Sequence, residues 1–228
     1  MEAFGLNEVK EFITQEFIEH LSQANWVVKD ESYGLWIEKE AGEAKDFIYL
    51  TIKDHYDEKH LSKYHLVRPT ASRRFHPVEK VLSDCFDQLD DMDNATIFPF
   101  EFYDGGMDDR LPRPLTGVVN ETELKRDVEI MKEYLDRYIL PFFTDYPTLK
   151  EVDTKIQQTP VVDLHKFIGQ EVIGRRMTIM KLADNPGYEE YVKMILDYFT
   201  GEAKKGNAVA KADLEKYTKL RDHLVSVT

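Results

Sequence analysis

The chain holds a single cysteine, Cys85, in 228 residues. One thiol allows neither an internal disulfide nor a thiolate zinc cluster, so packing alone must hold the core. A run of about 18 apolar residues is also missing, which excludes a membrane-spanning helix. There is no Gly-x-Ser-x-Gly nucleophile elbow, no dinucleotide-binding glycine pattern after a strand, and no P-loop glycine spacing. The amino-terminal MEAFGLNEVKEF has an early glutamate and neither a basic nor an apolar signal region, so no signal peptide is expected and the reading is a soluble cytoplasmic protein. Positive charge is scarce as well. Thirty Lys and Arg against 43 Asp and Glu leave a formal charge of −13, which repels phosphate backbones and anionic lipid. The expected macromolecular partner is therefore a basic protein, with no nucleic acid and no membrane.

What is present supports a sizeable core. A chain of this length buries roughly 70–75% of its unfolded surface, and 42% of its residues are hydrophobic. The spacing of Val9, Phe12, Ile13, Phe17 and Leu21 predicts a helix from about Asn7 to Ala24, with Asn7 as its cap. WVVKD, LWIEKE and DFIYLTIKD then read as an antiparallel meander, with Ile48, Leu50 and Ile52 on one face and Tyr49, Thr51 and Lys53 on the other. YHLVR is a candidate fourth strand, and PTASRRFHP breaks the pattern. Pro77 suits the first position of a second helix, whose face is Val78, Val81, Leu82, Cys85, Phe86 and Leu89. IFPFEFY is expected to be a strand, at an edge because Pro99 lacks a ladder donor. DGGMDDRLPRP is turn and loop, and LTGVVN is a candidate last strand.

From Asn120 the pattern turns helical. Asn120 and Glu123 form a capping-box pattern ahead of Leu124, Val128, Met131, Leu135 and Tyr138. Glu121–Lys125 and Glu133–Arg137 are i,i+4 pairs of about 0.3 kcal/mol each, and Pro141 is expected to end the run. Helices follow at about 162–183, 187–205 and 208–226, with Gly169 and Gly174 weakening the first. The predicted fold class is α+β: an antiparallel sheet packed by helices over 1–119, then a helical part over 120–228 packed on it as one unit.

Four constellations could carry chemistry. IKDHYDEKHLSKYH, residues 52–65, gathers metal-preferring side chains. However, His55, His60 and His65 are five apart, so no two share a helical face; on strands His55 and His65 could face each other across a hairpin, but a solvated strand-to-strand loop is expected. Arg68, Arg73, Arg74 and His76 precede a helix start, where forked donors and free amides would suit an anion. The competing assignment pairs Arg73 and Arg74 with the acidic run Asp84, Asp87, Asp90, Asp91 and Asp93. In YDGGMDD, Asp104, Asp108 and Asp109 surround a glycine turn and are weak candidate metal ligands. Cys85 lies on an apolar face and reads as a buried hydrophobe with no catalytic role, while Arg175 and Arg176 read as snorkelling or paired with Glu171.

The helix VKEFITQEFIEHLSQANWVV, the strand GLWIEKE and the segment YLDRYILPFF together resemble an uncharacterised bacterial family of α+β domains of unknown function. The resemblance covers about the first 150 residues and implies a fold; it carries no functional residue. The expected function is non-catalytic binding through an acidic surface, with no cofactor and no catalytic residue assigned. The alternative is a divalent-metal-dependent hydrolase using Asp104, Asp108, Asp109 or the histidines of 52–65.

Overall fold

A computed structural model describes residues 6–21, 25–31, 34–57, 60–66, 69–86, 95–99 and 120–226, with the backbone alone at residue 6 and over 53–57 and 60–66. The chain is α+β. Its elements are α1 (Leu6–Leu21), β1 (Val27–Glu31), β2 (Gly34–Ala41), β3 (Ala44–Asp57), β4 (His60–Leu66), β5 (Thr70–Phe75), α2 (His76–Cys85), α3 (Glu121–Tyr134), a π-helical turn (Leu135–Ile139), α4 (Leu140–Asp145), α5 (Leu149–Gln158), a 3₁₀ turn (Val161–Lys166), α6 (Val172–Leu182), α7 (Tyr188–Lys204) and α8 (Ala208–Ser226). They form two compact units, each made of two chain segments. One comprises Met1–Arg73 and Pro99–Thr144, the other Arg74–Phe98 and Asp145–Thr228. The change from strands to helices near residue 120 thus lies inside the first unit.

In the first unit β1, β2, β3 and β4 pair antiparallel in that order, and β5 also pairs with β3. Gly42 has a φ of 65° and closes the β2–β3 hairpin beside the pair Ala41 and Ala44. Two-residue hairpins require such positive φ values, which cost glycine nothing. Ile48, Leu50 and Ile52 are all buried, as the alternation predicts. Helix α1 packs on β1, β2 and α3, burying Val9, Ile13, Phe17 and Leu21 while Phe12 stays half-buried. Each fully buried large side chain contributes about 1.5–3 kcal/mol. The helix starts at Leu6, so Asn7 lies in its first turn and is not its cap.

Residues 52–65 are a β-hairpin and not a loop. The pairing runs Lys53 to His65 and His55 to Lys63, with a register shift before Asp57 and His60. His55 and His65 are therefore not opposite one another. Thr70–Phe75 is likewise a strand where a break was expected; its buried residues alternate as Ala71, Arg73 and Phe75, the signature of a half-buried strand.

Asn120 caps α3 as expected, its side chain accepting from the Glu123 amide. Pro141 does not end the helix, which continues to Asp145. Just before the proline the winding loosens, and the Leu140 amide reaches back five residues to the Leu135 carbonyl. Proline offers no amide and crowds the carbonyl four residues back. A π turn at that point opens the helix without breaking it.

In the second unit α2 packs on α6 and α8, α6 on α5, α7 and α8, and α7 on α8. Pro77 sits in the first turn of α2, and Val78, Val81, Leu82, Cys85 and Phe86 are buried. The helix expected over 162–183 divides into the 3₁₀ turn and α6, and α5 was not anticipated. Gly169 explains the interruption. Its amide donates to the Thr96 carbonyl at 3.0 Å, and Ile97 and Ile168 form an isolated antiparallel bridge. That bridge is the described part of the strand expected at IFPFEFY; residues 100–103, like Leu89 and the candidate strand at 115–119, lie outside the described residues.

A Cβ added at Gly169 would lie 2.1 Å from the Ala95 carbonyl oxygen. Backbone cannot yield as a flexible side chain does, so Gly169→Ala is expected to cost about 1–3 kcal/mol. A urea-unfolding midpoint equal to that of the unaltered chain would contradict this close approach.

Candidate functional site

The arginine cluster ahead of α2 is dispersed by the strand that contains it. Neighbouring residues of a strand point to opposite faces, so Arg73 turns inward while Arg74 does not. Inside, the Arg73 fork closes on one carboxylate: Nε donates to Asp46 Oδ1 at 2.6 Å and Nη2 to Oδ2 at 2.9 Å. Nη1 donates to the Phe143 carbonyl at 2.8 Å, and the guanidinium lies 5.4 Å from the Phe143 ring centre. Burial raises the Asp46 carboxyl above its ordinary value, and Arg73 pulls it back only in part. Arg73 thus ties β5, β3 and α4 together and has no fork left to offer an anion. Its carboxylate partner among the described residues is Asp46.

Arg74 is half-buried, and its Nε has no hydrogen-bond partner among the described residues. His76 is exposed at the start of α2. Arg68 lies outside the described residues, as do Asp87–Asp93 and the candidate metal ligands Asp104, Asp108 and Asp109. Of the acidic run, Asp84 pairs with Lys80 at 3.2 Å. Among the described residues no three His, Cys, Asp or Glu side chains are grouped to hold a metal ion.

A second buried fork sits in the other unit. Arg175, fully buried on α6, donates from Nε to Glu79 Oε1 at 3.0 Å and from Nη2 to Oε2 at 2.8 Å. Thr96 completes the network: its hydroxyl donates to Glu79 Oε1 at 2.6 Å and accepts from the Phe75 amide at 2.9 Å. Arg175 therefore neither snorkels nor pairs with Glu171, which instead binds Lys216 at 2.6 Å. Arg176 stacks over the Tyr191 ring at 4.3 Å.

An open groove of about 690 Å³ on the first unit is lined by His20, Arg126, Glu129, Ile130, Lys132, Glu133, Asp136 and Arg137. Sequence reasoning missed it, because its residues come from α1, α3 and the π turn. His20 Nε2 meets Asp136 Oδ1 at 2.8 Å, Lys132 meets Glu16 at 2.6 Å, and Arg137 meets Glu133 at 2.7 Å. His20 and Asp136 could position a proton, yet no serine, threonine or cysteine lines the groove to be activated. These cations are already neutralised by neighbours, so the groove offers mixed charge and no concentrated field.

Burial holds one thiol and three phenols toward their neutral forms. Burial pushes up the Cys85 thiol, with Asp84 adding and Lys219 opposing, so the residue is the inert thiol its apolar face suggested. Burial likewise raises the Tyr191 and Tyr217 phenols. It pushes Tyr188 up to about 12, where the hydroxyl is buried without a hydrogen-bond partner among the described residues.

No protein-family model, curated protein or solved structure matches this chain. The reading of its site therefore rests on the geometry above.

Removing one partner from a buried pair strands the other charge, at a cost of about 3–5 kcal/mol. Arg73→Ala and Glu79→Ala are each expected to lose that much stability in urea unfolding, whereas loss of a solvent-facing ligand site would cost little. Tyr188→Phe removes an unsatisfied hydroxyl and is expected to leave stability unchanged or raise it by about 1 kcal/mol. The Tyr188 pKa is raised in the folded state, so its contribution is intact below the unfolded value of 10.0 and is lost as pH climbs toward about 12. Tyr188→Phe should shrink the fall in stability between those values; an unchanged alkaline profile would contradict the assignment.

Proposed function

We propose that the chain is a cytoplasmic binding protein whose acidic surface engages a basic protein partner, without catalysis. The observation that carries this is the placement of charge. Among the described residues the buried guanidiniums, Arg73 and Arg175, are each neutralised by a buried carboxylate, Asp46 and Glu79. The surplus of −13 is therefore carried outside those pairs. Like-signed surface charge steers a basic partner and accelerates its encounter. The acidic run from Asp84 to Asp93 is the proposed centre of the contact, and Asp84 at its start is exposed. No helix among the described residues is long and apolar enough to cross a membrane.

The test is retention of basic proteins from native extract on the immobilised chain, compared with a variant combining Asp84→Lys, Asp87→Lys, Asp90→Lys and Asp91→Lys. Retention is expected at low ionic strength, fading as salt shortens the Debye length to about 10 Å near 0.1 M, and falling at least about tenfold in the variant. Equal retention by both proteins would overturn the proposal. So would thermal stabilisation by a divalent metal that disappears in Asp108→Ala with the circular dichroism unchanged, since that outcome belongs to the metal-dependent hydrolase. A ligand at a hundredfold excess over its dissociation constant adds about 2.7 kcal/mol, so such binding would be readily measured.

A further inference from the structure

We draw no further inference here: the strongest candidate, the exposed surface patch of Met194 and Tyr198 on α7, is an unpartnered helix face, and nothing in the structure shows what covers it.

Discussion

A guanidinium taken out of water needs a carboxylate partner, because stranding a buried charge costs about 3–5 kcal/mol, a large share of a marginally stable fold's free energy. Both compact units are arranged around that requirement. In the first, Arg73 joins β5 to Asp46 on β3 and to the backbone of α4 at Phe143. In the second, Arg175 joins α6 to Glu79 on α2, while Thr96 links the same carboxylate to the Phe75 amide. Apolar burial supplies most of the gross stability in each unit. The forks add direction: they fix which element lies beside which, since a bidentate pair tolerates little sliding.

The same requirement divides the polar residues by role. A fork saturated by protein acceptors is a cross-link, so the basic cluster that resembles an anion site by composition loses Arg73 to the interior. Groups that burial perturbs, such as Cys85, Tyr188 and Tyr217, are shifted toward their neutral forms. A neutral thiol or phenol held in an apolar setting is a poor nucleophile or base at ordinary pH.

The fold was legible where one periodicity governed a whole element. Ile48, Leu50 and Ile52 marked the inner face of β3, and Val78, Val81, Leu82 and Cys85 marked the stripe of α2. It was illegible where a polar residue occupied an apolar position. Asp46 continues the Ile48–Leu50–Ile52 alternation backwards, and Arg73 stands between Ala71 and Phe75 in the alternation of β5. Each reads alone as a break in pattern, yet two opposite charges on inward positions of two strands are the signature of a buried pair. Glu79 is the helical equivalent, three residues before Leu82 and seven before Phe86. Pro141 misled for another reason: its usual penalty assumes α winding, and a π turn removes that assumption.

The surface was less legible than the core because pairing between exposed charges leaves no periodic trace. His20 and Asp136 are 116 residues apart and meet at 2.8 Å, a contact fixed only once α1 packs on α3.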